Sequence, residues 1–157
     1  MTTKKPIAAK KIIPNLQKSL YPEPFATMME GRIKRKLGDY FGLTNFGINL
    51  TEIKPGGISA LKHHHMTQDE FIYILSGTPT LVFGSDEHLL QPGDCFGLNK
   101  GQGIGHQIAN NSDEVVTYLE IGDRSPDDQV EYPDNDLCAK SEPDGSWSFL
   151  HKDGTPY

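Results

Sequence analysis

Two short segments of the 157-residue chain hold the side chains best suited to chemistry. The first runs Gly57-Ile-Ser-Ala-Leu-Lys-His63-His64-His65-Met-Thr-Gln-Asp69-Glu70, and the second runs from Pro92-Gly93-Asp94 through Gly101-Gln-Gly103-Ile-Gly105-His106 to Asn110. On an extended strand, residues i and i+2 point to the same face, so His63 and His65 can share one metal ion while His64 points away. Glu70 can add a carboxylate oxygen and His106 a third imidazole. Three nitrogens and one oxygen leave room for water or substrate on a divalent ion that accepts five or six ligands. The reading is one ion per chain, with zinc, manganese, iron and nickel all compatible. His64 is read as an outward or interface residue, and His88 and His151, alone in polar surroundings, as surface residues.

Strands and turns must position these donors. Phe46–Ile53, Phe71–Leu75, Thr80–Phe83, Cys95–Leu98, His106–Ala109 and Val115–Ile121 are short apolar runs separated by Gly, Pro, Asn and Asp. That texture predicts an all-β sandwich or barrel, and no βαβ alternation is present. Residues 1–36 carry nine Lys/Arg against two Asp/Glu, 37–122 carry three against ten, and 123–157 carry three against nine. The expected organisation is a basic N-terminal arm (1–36), a β-barrel (37–122) and a C-terminal tail (123–157) packed on it as an irregular strap. Trp147 and Phe149 would anchor that tail.

The spacing also resembles a known family. Gly57, His63, His65, Glu70 and Gly77 meet the pattern G-x5-H-x-H-x4-E-x6-G, the first signature of the cupin superfamily. Gly93, Gly101, His106 and Asn110 meet the second, except that Asn99 replaces a proline and two extra residues precede His106. The Gly-rich approach to His106 and the tail are similar to those of small bacterial cupins. The resemblance implies a double-stranded β-helix, or jelly-roll barrel, usually a homodimer, with one metal held by His63, His65, Glu70 and His106.

Other features have plainer readings. Glycines 101, 103 and 105 are read as a tight turn rather than a phosphate cradle. Cys95 is read as a packed small hydrophobe. The basic arm lacks a nucleic-acid recognition element and reads as a solvated strap over the acidic body or a partner subunit. Arg32, Lys34, Arg35 and Lys36 are read as a solvated face, with anion binding at the barrel mouth as the alternative. No apolar run approaches the roughly 20 residues of a membrane span. The N-terminus has no signal-peptide apolar region and cysteines are scarce, so a cytoplasmic protein without membrane or nucleic-acid partners is expected.

Three functions stay open at this level, and the preferred reading is a metalloenzyme acting on a small oxygen-rich substrate, most concretely a sugar-phosphate isomerase. In the first, the metal polarises a carbonyl while a base moves a proton, as in aldose–ketose isomerisation; some cupins are sugar-phosphate isomerases. Tyr118 and Glu120, on one strand face, are the candidate catalytic residues, with Lys62 a weaker one. The second is an Fe(II)-dependent dioxygenase using the same ligands. The third is a non-catalytic domain that binds a small ligand or metal for sensing or storage.

Overall fold

Alternation with period two, ended by turn residues, accounts for the main strands. The structure, a computed structural model, describes residues 4–15 and 19–157; parts of the basic arm at 1–3 and 16–18 lie outside the described residues. The strands are β1 (Arg32–Lys36), β2 (Phe46–Ile53), β3 (His64–His65), β4 (Glu70–Ser76), β5 (Thr80–Phe83) and β6 (Asp86–Leu89). They continue as β7 (Cys95–Leu98), β8 (His106–Ala109), β9 (Val116–Asp123), β10 (Gln129–Glu131), β11 (Cys138–Ser141) and β12 (Trp147–Leu150). One short helix, α1 (Leu37–Phe41), follows β1 and ends at Gly42 in the left-handed conformation. The expected all-β jelly roll is what forms.

One wall is a five-stranded antiparallel sheet in the order β1-β2-β9-β4-β7. The opposite side comprises β6-β5-β8 and β12-β11-β10-β3. An antiparallel bridge between His63 and His106 joins these two sheets, with backbone hydrogen bonds of 3.1 and 2.8 Å. Gly77 shows why the turn after β4 tolerates no side chain. Its φ is +78°, and a Cβ there would lie 2.9 Å from the Val116 Cα.

Two apolar clusters form the interior. The barrel cluster contains Ile53, Ile72, Ile74, Leu81, Leu90, Ile108, Val116 and Tyr118. The second contains Met29, Leu61, Val130, Tyr132, Leu137 and Ala139, with Tyr21, Phe25, Trp147 and Phe149 packed against it. Residues after Asp123 are thus more regular than a strap: they add three strands and much of a core. Strand β1 is the charged run itself. Its register places Arg32, Lys34 and Lys36 opposite Ile53, Thr51 and Asn49, and all three line an open cavity, with Lys36 at its exposed end.

Several sequence readings need correction. Cys95 is exposed, because β7 turns Phe96 and Leu98 inward and Cys95 outward. His64 is buried, because β10 pairs with β3 and covers it, with its Nε2 3.5 Å from Glu131. Lys62 faces away from the cavity, its Nζ 2.9 Å from Asp134 and donating to the Gly84 carbonyl. His88 does lie on the exposed β6, and His151 is half-buried against Tyr157. Gly101 and Gly103 both have φ of +69°, as a tight turn requires.

Candidate metal centre

Backbone pairing brings the first donors together. The bridge sets His63 beside His106, with ring centroids 4.5 Å apart, and His65 follows two residues on with its ring 5.2 Å from that of His63. Glu70, the first residue of β4, reaches them from the opposing sheet. Its Oε2 lies 3.0 Å from His106 Nε2, 3.6 Å from His65 Nε2 and 3.8 Å from His63 Nε2. One donor atom each from His63, Glu70 and His106 falls within 4.8 Å of the others; His65 stands slightly outside that group.

Hydrogen bonds on the far side of two rings fix their direction. His63 Nδ1 lies 2.7 Å from the Leu61 carbonyl, which can only accept, so that nitrogen carries the proton and Nε2 presents a lone pair inward. His65 Nδ1 lies 2.5 Å from Asp128 Oδ2, and Asp128 Oδ1 accepts from the Thr67 N–H and hydroxyl. Asp128 is fully buried and precedes β10. The sequence reading missed it; a lone Asp in a polar tail gives no local signal. Asn110, also fully buried, donates to the Ile53 and Glu114 carbonyls and accepts from Ser112. Its part in the motif is therefore to hold a turn.

Electrostatics follow from this crowding. Burial pushes the His63 imidazole down to about 3, and His106 beside it works in the same direction. Burial alone would raise the Glu70 carboxyl, but the three imidazoles, His106 first, hold it well below the carboxylate range. Burial also opposes protonation of His65, yet the Asp128 contact and Glu70 raise it. Glu70 Oε2 is buried without a well-directed hydrogen bond. A buried carboxylate oxygen facing three imidazole nitrogens is a donor set of the kind that holds a cation. The chemistry of these donors fits a divalent metal.

The donors open onto a cavity of about 420 Å³. Tyr21, Tyr132, Trp147 and Phe149 line one part of it, and Tyr132 stacks on His63 at 5.9 Å. Tyr118 and Glu120 line another part. Tyr118 donates from its hydroxyl to Glu120 Oε2 at 3.2 Å, while Lys34 Nζ and Asn49 Nδ2 donate to Oε1 at 2.6 and 2.9 Å. Burial would raise Glu120, but Lys34 and Asn49 hold it below its ordinary value; burial and Glu120 push the Tyr118 phenol well up.

Known proteins agree with this architecture. The cupin-domain family profile matches residues 49–122. A sugar phosphate isomerase from a cupin superfamily of Silicibacter pomeroyi is 37% identical, with a TM-score of 0.91 over 98% of this chain and 96% of that one. A protein from Acidithiobacillus ferrooxidans, described as a proposed sugar phosphate isomerase, is 32% identical, with a TM-score of 0.72 over 80% of each chain. The polyketide cyclase of Streptomyces resistomycificus is 18% identical over 78% of this chain and 80% of its own, with a TM-score of 0.61, and shares the fold alone. No curated protein sequence matches the chain. The family profile, the opposed sheets and these two relatives above 30% identity establish that the chain belongs to the cupin superfamily.

Proposed function

We propose that the protein is a metal-dependent isomerase of a small phosphorylated sugar. The observation that carries this reading is the placement of two sets of groups on one cavity. The His63, His65, Glu70 and His106 donors lie on it, and so does the Tyr118–Glu120 pair. A divalent ion held by the four donors would polarise a substrate carbonyl as a Lewis acid. The chain's own residues do the rest. Glu120 Oε1 is occupied by Lys34 and Asn49, so Oε2, which carries only the Tyr118 contact, is the atom that takes and returns a proton. Tyr118 stays protonated and orients that oxygen. The cavity walls restrict water around the reacting carbons. The two relatives above 30% identity, one described as a sugar phosphate isomerase and the other as a proposed one, support the substrate class.

The test is incubation with a panel of sugar phosphates in deuterated water, alongside mass analysis of bound metal. Solvent deuterium at the carbon beside the carbonyl, lost in Glu120→Gln, is the expected result. Iron with oxygen consumption and no deuterium incorporation would replace the isomerase with the dioxygenase.

The reading includes a second copy of the chain on the outer face of the five-stranded sheet. Phe71, Tyr73 and Leu75 project there with 39–43% of their surfaces exposed, a cluster of large apolar groups of the kind that marks association. Light scattering should give twice the monomer mass, and Tyr73→Glu should halve it. The two unpaired cysteines accord with a reducing cytoplasm. No helix among the described residues is long and apolar enough to cross a membrane.

A further inference from the structure

Four cationic side chains among the described residues are half-buried: Arg32, Lys34, Arg35 and Lys62. Three have a carboxylate partner. Lys34 pairs with Glu120 at 2.6 Å, Arg35 with Glu52 at 3.1 Å and Lys62 with Asp134 at 2.9 Å. Arg32 has no such partner among the described residues; its Nη1 donates to the Ser59 carbonyl. Removing a guanidinium from water without an opposite charge is costly, and the pairing of the other three shows that this chain ordinarily avoids it.

The position of Arg32 gives the omission a purpose. It sits on β1 opposite Ile53, on the cavity-facing side of the strand, and lines the cavity together with Ser59, Tyr21 and Tyr118. Its charge acts on both phenols, opposing the rise that burial imposes on each. A guanidinium offers five N–H donors in a planar fork, of which Ser59 engages one nitrogen. The remainder matches the two oxygens of a phosphate or carboxylate, and the Tyr21 hydroxyl on the same cavity can donate to that group, Tyr118 being committed to Glu120.

We propose that Arg32 anchors the anionic group of the cavity's ligand, a phosphate monoester or a carboxylate on a small polyol. This deepens the isomerase reading by assigning the residue that selects a charged sugar over a neutral one. Lys34 is committed to Glu120 and Lys36 lies at the exposed end of the strand, 3.8 Å from Asp39, so neither substitutes for it.

Trp147, the single tryptophan of the chain, lines the same cavity and makes binding measurable without turnover. The full-length protein would be titrated with glucose 6-phosphate, gluconate, inorganic phosphate and glucose while Trp147 fluorescence is followed. Saturable binding of glucose 6-phosphate or gluconate, with glucose at least 10-fold weaker, is expected. Whichever binds more tightly identifies phosphate or carboxylate as the anion. Arg32→Gln should weaken that ligand at least 10-fold, Arg32→Lys should fall between, and Arg35→Gln, on the outer face, should bind as wild type. Should Arg32→Gln fail to fold, Arg32→Lys decides alone through loss of the planar fork. Equal binding of glucose and its charged derivatives, or wild-type affinity in the Arg32 variants, overturns the proposal. Arg32-dependent binding without deuterium incorporation would fail only the isomerase; incorporation with an unchanged KM in Arg32→Gln would fail only this assignment.

Discussion

The barrel and the annex built from the chain's two ends contribute to the candidate metal centre in different ways. The barrel cluster lies between strands from the middle of the chain, and the four candidate donors lie on or beside β3, β4 and β8. The annex cluster joins Met29 and Leu61 to Val130, Tyr132, Leu137 and Ala139. It supplies no donor. It supplies the carboxylate that aims His65, the ring that stacks on His63 and the aromatic wall of the cavity. Ligand identity thus belongs to one region and ligand orientation to the other. Such a division lets a common donor set work behind different cavity walls.

Four measurements can break or sharpen that division. The largest effect belongs to the barrel: Glu70→Ala or His106→Ala should abolish stoichiometric metal in mass analysis, because each removes a converging donor. Retention of a full equivalent would dismiss the site. Next, Leu137→Ala in the annex and Ile74→Ala in the barrel, both at fully buried positions, should each cost about 2–5 kcal/mol in denaturant unfolding. A single transition in both variants would show that the two clusters unfold together. Two transitions for Leu137→Ala alone would mean that the annex melts separately. Asp128→Asn should weaken metal binding about 10–100-fold while leaving the donors in place; an unchanged Kd would remove the annex from the metal centre.

The smallest effect is a pH dependence confined to the barrel. The folded Glu120 carboxyl is held below its ordinary value of 4.5, chiefly by Lys34 against the opposing pull of burial. The sign is that of a depressed acid: its stabilisation is complete above the unfolded value and is lost as pH falls through the folded one. Glu120→Gln should therefore melt lower than wild type by about 2–4 °C at neutral pH, a gap of about 1 kcal/mol. The gap should close as pH is lowered from 6 towards 3. A gap constant with pH would show that the Lys34 pairing contributes nothing.

What the sequence made legible divides along the same line. Six apolar runs coincide with β2, β4, β5, β7, β8 and β9, because each has one face in the core and turn residues at its ends. The donor spacing was equally readable, since it reflects strand geometry within a few residues. β1 was not, because its inward face is cationic and serves a cavity rather than a core; periodicity of charge there looks like a solvated surface. β6 is polar and exposed and carries no apolar signal. Asp128 was invisible for another reason. Its partner His65 lies 63 residues away, and no local pattern encodes a contact of that range.

The pairing of β10 with β3 also has a consequence for how the molecule comes into being. During synthesis, His63, His65 and Glu70 emerge well before the residues that hold one of them in line. A nascent chain would carry the donors as a loosely ordered set able to bind and release metal. Only when β10 docks on β3 would that set become selective and slow to exchange. Closing so long a loop is a late step in folding. Metal capture with the final affinity should accordingly trail the appearance of β structure in a refolding reaction.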